Sequence, residues 1–305
     1  MISYFGGKSS KVFQEFINTK IPKSGIDCYV EPFSGSFATF LDGDDMNYKT
    51  VVYNDRNRHQ ANLYKCCQQR SELADVIQKL LNGPLKCDEP DPIKKWDFYK
   101  SHYHRWVKGD FLDNNDFEIP DYKRAAIYAF LITSSHNSVY PRGAGFNGYK
   151  KDKDKLKLEV LLQKLKGDKY LEKMDQITHF FNKDFEELMR EWDSPTTYFY
   201  LDPPYFRPDE KGEDDGKRLF WYGSDTENVF GPASHRRLLE LLKGLKSRWS
   251  LSYYYFPLLE ELLPRDKYFW YEKEVFRSSA GGGNNASSKS EQTKGRELLI
   301  LNYPV

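Results

Sequence analysis

Short β-prone runs that alternate with helical periodicity constrain this chain more than any other feature, and they come in two groups. IDCYVEPF (26–33) and TVVYND (50–55) form the first. QITHFF (176–181), TTYFYLD (196–202), RWSLSYYY (248–255), KYFWYEKEVF (267–276) and RELLILNY (296–303) form the second. Helical periodicity in FEELMREW and SHRRLLELLKGLK separates several of them. Strands and helices alternating in this way predict an α/β fold, a mostly parallel sheet covered on both faces. The last two runs have no helix between them, so they are expected to be antiparallel neighbours.

Between the groups, residues from about 60 to 169 are helix-prone, aromatic and charged (IKKWDFYKSHYHRWVKGD, YKRAAIYAFLI) and pass into SSHNSVYPRGAGFNGYKKDKDK. This predicts a helical domain, 61–169, inserted into a sheet domain made of 1–60 and 170–305. A second stretch, RSSAGGGNNASSKSEQTKGR (277–296), holds too much Gly, Ser and Asn to pack a core and is expected to be a mobile loop or hairpin tip.

Composition narrows the function classes. At 305 residues, with 39% hydrophobic and 16% aromatic content, the chain has ample material for a core. No apolar run approaches the roughly 20 residues that span a bilayer, and MISYFGGKSS lacks a basic-then-apolar leader pattern, so a cytoplasmic protein with no membrane partner is expected. Cys28, Cys66, Cys67 and Cys87 form no CxxC or zinc spacing; they read as reduced structural thiols, and no metal site is expected. The net charge of +1 means that any nucleic-acid surface must be local.

In TTYFYLDPPYF (196–206) neither proline can donate to a sheet, so the strand must stop at Leu201 or Asp202. In open α/β sheets ligands bind at the strands' carboxyl ends, and there a carboxylate, a carbonyl and a flat ring are presented together. Such a set can grip a planar base that carries an amino group; a plain strand terminator with Asp202 in a turn explains DPPY alone equally well. VEPFSGSFATF (30–40) follows a strand and opens a helical pattern, with Ser34, Gly35 and Ser36 small enough for a tight turn against a ligand; taken alone, a plain βα turn is the simpler reading. About 20 residues on, Asp55 ends the next strand, the spacing at which an acid holds the ribose of an adenosine-containing cofactor. YFGGK (4–8) supplies a second glycine turn, in which Lys8 could pair with a cofactor carboxylate while Tyr4 or Phe5 lines the pocket; a cap before SSKVFQEFI is the simpler reading. NKDFEEL (182–188) puts Asp184 and Phe185 just past the third strand, where Asp184 also suits a helix N-cap.

Taken in order, YFGGK, EPFSGS, ND, an insert ending in RGAGFNGY, KDF, YLDPPY and RELLILNY resemble the Dam-like (class alpha, D12-type) DNA adenine N6-methyltransferases. The resemblance implies a Rossmann-like sheet of seven strands with an antiparallel terminal hairpin, an inserted DNA-recognition domain, S-adenosylmethionine as methyl donor and adenine in double-stranded DNA as acceptor. By position it implies that Tyr4, Phe5 and Lys8 contact the cofactor, that Phe33, Ser34, Gly35 and Ser36 form its loop, and that Asp55 holds its ribose. Asp184 and Phe185 would meet its adenine. Asp202, Pro203, Pro204 and Tyr205 would hold the target base, with Asp202 bordering the cofactor as well. Family members commonly carry a second glycine where this chain has Phe37, and RGAGFNGY departs from the usual RGxFN turn, so sequence specificity does not transfer.

An adenine amine is a poor nucleophile because its lone pair is delocalised into the ring. Asp202 and the Pro203 carbonyl, each accepting one of its N–H groups, would aim that lone pair at the methyl group. The base would have to leave the duplex, with stacking on Tyr205 offsetting part of the cost. For DNA contact Asn137, Tyr140, Arg142 and Asn147 offer the residue types that read bases, against the alternative of a mobile loop with one structural arginine. Methylation of the cytosine N4 amine, which DPPY also serves, and a catalytically silent nucleic-acid-binding relative are the competing readings. A cognate restriction endonuclease is a compatible companion.

Overall fold

The computed structural model describes residues 10–44, 47–82, 88, 94, 97–101, 119–134, 162–163, 165, 168–206, 230–276 and 294–305. Its strands are β1 (Cys28–Glu31), β2 (Thr50–Asn54), β3 (His179–Phe181), β4 (Thr197–Leu201), β5 (Arg248–Tyr253), β6 (Phe269–Phe276) and β7 (Lys294–Leu301). They form one seven-stranded sheet in the order β3-β2-β1-β4-β5-β7-β6. β1 to β5 are parallel, while β7 runs antiparallel to both β5 and β6. The antiparallel terminal pair is therefore as expected. β1 ends before Pro32 and β4 at Leu201, one residue before the Asp202–Pro203 pair.

β7 begins earlier than composition predicted. Lys294 pairs opposite Phe276 and Arg296 opposite Glu274, so the last residues of the Gly/Ser-rich stretch are strand. Backbone ladder bonds hold whatever side chain they carry, and β6 supplies the template. Residues 277–293 lie outside the described part.

The strands are near-continuous apolar runs because both faces of the sheet are buried. Period-two alternation sorts them. Tyr29, Val51, Tyr53, Tyr198, Tyr200, Leu299 and Leu301 point into one apolar cluster, and Val30, Val52, Phe199, Leu201, Leu298 and Ile300 into the other. The buried hydroxyls on this sheet are matched across strands: Tyr198 meets Ser250 at 2.5 Å and Tyr200 meets Ser252 at 3.0 Å.

Nine helices cover the two faces among the described residues: α1 (Lys11–Asn18), α2 (Ala38–Leu41), α3 (Arg58–Gln68), α4 (Arg70–Asn82), α5 (Tyr122–Ser134), α6 (Asp168–Asp175), α7 (Phe185–Glu191), α8 (Pro232–Lys243) and α9 (Pro257–Leu262). α1 starts where Ser10 accepts from the Phe13 N–H, and α3 where Asn57 accepts from His59 and Gln60. Residues 125–132 of α5 are buried at every position, as a helix apolar all round must be. Asn62 and Asp121 tie α3 to the start of α5 by two reciprocal bonds of 2.9 Å. Residue 60 lies inside α3, and Leu63, Leu73, Ile77 and the α5 side chains share the apolar cluster of Tyr29 and Tyr53. These helices complete the sheet's core on one face, while α7, α8 and α9 complete it on the other.

Candidate active site

The strand order reverses between β1 and β4, which run parallel and side by side. A crevice opens where connections leave such a pair in opposite directions, at the strands' carboxyl ends. Glu31-Pro32-Phe33 leaves β1 there, and Asp202-Pro203-Pro204-Tyr205 leaves β4.

The turn after β1 is built from backbone bonds that small residues permit. Ser34 Oγ donates to the Glu31 carbonyl at 2.7 Å and accepts from the Asn54 N–H at 3.0 Å, locking the turn against β2. Gly35 has φ +49°, and its N–H donates to Asp55 Oδ2 at 2.8 Å. The other Asp55 oxygen accepts from the Asn57 N–H at 2.7 Å. α3 holds the turn from outside: Gln60 donates to the Gly35 carbonyl at 2.8 Å and Tyr64 to the Ser36 carbonyl at 2.5 Å. These two residues are four apart, so they share one helix face. Neither stood out in the sequence, though polar residues at that spacing on an otherwise buried helix are a usable signal.

Phe37 takes the left-handed backbone (φ 53°, ψ 29°) at the N-cap of α2, the conformation a glycine would adopt freely. Its ring is fully buried, 5.2 Å from Tyr53 and 5.0 Å from Phe40. The departure from glycine thus keeps the turn's backbone shape and adds a core side chain.

Two buried carboxyls lie in this region. Glu31 accepts from the Tyr29 hydroxyl at 2.5 Å; burial pushes its pKa well up, and nearby Asp202 adds to the effect. Asp55 is pushed up to about 6 by burial, against which the Asn57 and Gly35 N–H groups act. Asn54, adjacent, joins both loops: its amide donates to the Pro32 carbonyl at 2.8 Å and the Lys183 carbonyl at 3.2 Å, and its oxygen accepts from the Lys183 N–H at 2.8 Å.

Phe33 and Phe185 come together from the ends of β1 and β3, with centroids 5.4 Å apart and planes at 33°, and Phe230 closes on both. Asp184 caps α7 through Glu186 N–H at 3.0 Å, the capping role foreseen as the alternative, while its other oxygen accepts from Arg237 at 2.8 Å. The same guanidinium lies 4.5 Å over the Phe185 ring.

At the end of β4 the Tyr205 hydroxyl lies 2.8 Å from Asp202 Oδ1 and also bonds Glu297 of β7. The Tyr205 ring is buried, stacked on Tyr253 at 5.2 Å and edge-on to Tyr254 at 4.7 Å. It stands as one layer of an aromatic pack that anchors the loop. Tyr253 in turn donates to the Pro204 carbonyl at 3.3 Å and bonds His235 Nδ1 on α8.

This geometry, a glycine turn and strand-end acid on one side of the switch point and DPPY on the other, agrees with the comparison. The family model for D12 class N6 adenine-specific DNA methyltransferase matches residues 4–278. The chain belongs to that family. Comparison with curated proteins gives no match. As a D12 class enzyme the chain is a transferase whose chemistry is adenine-specific DNA methylation, and the match supports neither the cytosine nor the silent alternative. The D12 class generally depends on S-adenosylmethionine, and the donor set fits such a cofactor: a carboxylate, Asp55, at a glycine turn, and a pair of flat rings, Phe33 and Phe185, beside the acceptor Asp184.

Of the site residues expected from sequence, Phe33, Ser34, Gly35, Ser36, Asp55, Asp184, Phe185, Asp202, Pro203, Pro204 and Tyr205 all lie at the carboxyl end of the sheet, in the connections that follow β1 to β4, Phe185 as the first residue of α7. Tyr4, Phe5 and Lys8, and the DNA-contact residues Asn137, Tyr140, Arg142 and Asn147, lie outside the described residues. Among the described residues no cluster of three metal-ligating side chains exists, and Cys28, Cys66 and Cys67 are free and buried. No described helix is long and apolar enough to cross a membrane.

Proposed function

We propose that this D12 class protein is an S-adenosylmethionine-dependent, site-specific methyltransferase acting on the N6 amine of an adenine extruded from duplex DNA. The observation that carries the reading is Asp202 at the mouth of β4, beside the switch point, with one oxygen held by the Tyr205 hydroxyl at 2.8 Å. Asp202 and the Pro203 carbonyl accept the two amine N–H groups, drawing the nitrogen toward tetrahedral geometry and aiming its lone pair. Phe33, Ser34, Gly35, Ser36, Asp55, Asp184, Phe185 and Asp202, with Tyr4, Phe5 and Lys8, hold the cofactor. Bound S-adenosylmethionine supplies an electrophilic methyl group on a positively charged sulfur. A base inside a duplex cannot reach Asp202, so extrusion precedes transfer.

Residues 61–169 carry DNA recognition in this reading, with Asn137, Tyr140, Arg142 and Asn147 as contacts and Arg142 reading guanine. The protein acts in the cytoplasm on nucleoid or phage DNA, and a restriction endonuclease is a compatible partner. Incubating unmodified duplex DNA with labelled S-adenosylmethionine and identifying the product nucleoside by mass spectrometry tests the whole reading. N6-methyladenine is expected; N4-methylcytosine or no product overturns it. Asp202 only borders the cofactor, so Asp202→Ala should leave cofactor binding largely intact but lower turnover by orders of magnitude.

A further inference from the structure

We propose that Glu297, on β7, is a positioning residue for methyl transfer: through the Tyr205 hydroxyl it holds the Asp202 carboxylate in the orientation that receives the target amine. The inference rests on the reading of Asp202 given above.

Glu297 is 1% exposed, in a strand otherwise made of apolar side chains over Leu298, Leu299, Ile300 and Leu301. A carboxyl group in that setting carries a heavy desolvation cost and is placed where a partner meets it. One such partner is Tyr205, whose hydroxyl also touches Asp202. Three oxygens therefore stand in series: Glu297 Oε1, the phenol, and Asp202 Oδ1. The phenol has one proton and donates to one carboxyl at a time; the other contact is a hydrogen bond only where that carboxyl carries a proton and donates to the phenol oxygen, so the two acids together set the direction of its O–H bond. Burial, with Asp202 and Glu297 nearby, pushes the Tyr205 phenol well above its usual range, so it keeps that proton.

The ring itself has little freedom, being stacked on Tyr253 and abutted by Tyr254. What remains to be fixed is the hydroxyl and, through it, the Asp202 side chain on a loop with two prolines. β7 is separated from β4 by β5 in the sheet, so Glu297 brings the antiparallel end of the sheet to bear on the loop after β4.

The test compares Glu297→Leu, Glu297→Gln, Tyr205→Phe and the Glu297→Leu/Tyr205→Phe pair for kcat on duplex DNA, S-adenosylmethionine affinity by calorimetry, and melting midpoint. Glu297→Leu should lower kcat by about 10- to 100-fold, the scale of a small misplacement of a reacting group, with cofactor affinity and melting midpoint near wild type. Glu297→Gln, whose amide can donate to or accept from the phenol, should stay within about threefold of wild type. Because both residues act through one oxygen, the pair should be no worse than the worse single variant. A wild-type kcat in Glu297→Leu, or losses that multiply in the pair, overturns the proposal. If Glu297→Leu does not fold, Tyr205→Phe decides alone: a kcat within about threefold of wild type overturns it, and a loss of about tenfold or more supports it. Asp202→Ala, which removes the acceptor, is run in the same assay. Normal turnover there refutes the reading of Asp202 and with it the role of Glu297, whereas a dead Asp202→Ala beside a normal Glu297→Leu refutes Glu297 only.

Discussion

The Gly35 N–H donates to Asp55 Oδ2 at 2.8 Å, tying the turn after β1 to the end of the neighbouring β2. That bond comes with a pH dependence. Burial raises the Asp55 carboxyl from its ordinary 3.8 to about 6, so between these values the native state binds a proton that the unfolded chain has lost. Stability from this group therefore falls as pH rises through that window and is level above it. Asp55→Asn removes the titration. Relative to wild type, the variant should gain roughly 2–3 kcal/mol between about pH 4 and pH 6.5, read from urea unfolding at several pH values. A stability difference that does not change with pH would mean that the carboxyl titrates normally.

Phe37 sets a backbone penalty against a buried ring. The left-handed conformation costs a non-glycine residue roughly 1–2 kcal/mol, whereas deleting a buried phenylalanine ring costs roughly 3–5 kcal/mol. Phe37→Gly recovers the first and loses the second, so it should destabilise by about 2–3 kcal/mol. Phe37→Ala loses the ring and keeps the strained φ, so it should be the less stable of the two. Denaturant midpoints in the order wild type, glycine, alanine are expected; a glycine variant at or above wild type would show that the ring packs poorly.

These two residues also mark what the sequence made legible. Strand runs, the antiparallel end pair and the proline stop after Leu201 followed from local chemistry, because apolar runs with β-branched and aromatic residues have few other ways to be buried. The acid at the end of β2 and the glycine turn were legible as a spacing. Their supports were not: Gln60, Tyr64, His235, Tyr253 and Glu297 act on these loops from helices and strands remote in sequence, and one chain read alone carries no signal of which polar groups meet in space. Glu297 is partly an exception, since a lone acid ahead of LLIL in a buried strand is costly and asks for a reason. The start of β7 was missed because ladder pairing with β6 overrides the coil-favouring composition of its first residues.

Asn54 should be sensitive far beyond its size. Its side chain bonds Pro32 and Lys183 backbone groups, so the turn that carries Phe33 and the one that carries Asp184 and Phe185 move together. Asn54→Ala leaves a buried backbone carbonyl on one loop and part-buried backbone groups on the other unsatisfied, at roughly 1–3 kcal/mol for the set after partial relaxation. Cofactor affinity should fall about tenfold or more, since both halves of the site loosen at once. Calorimetry with S-adenosylmethionine beside thermal unfolding checks this, and a variant that loses stability while binding normally would place the cofactor elsewhere.

Tyr253 offers the complementary case, a brace on the DPPY side of the crevice alone. Its hydroxyl donates to the Pro204 carbonyl at 3.3 Å and bonds His235 Nδ1, while its ring backs Tyr205. Tyr253→Phe keeps the stacked ring and deletes only the hydroxyl, leaving a part-buried carbonyl and a buried imidazole nitrogen short of one partner each. The expected cost is about 1–3 kcal/mol in unfolding free energy. Because the contact lies on the loop after β4 and not on the turns after β1 to β3, kcat should fall by up to about tenfold while S-adenosylmethionine affinity stays near wild type. Asn54→Ala and Tyr253→Phe should then fail in opposite ways, one in binding and the other in turnover. The reverse pattern in titration calorimetry and steady-state kinetics would exchange the roles given to the two sides of the β1/β4 crevice.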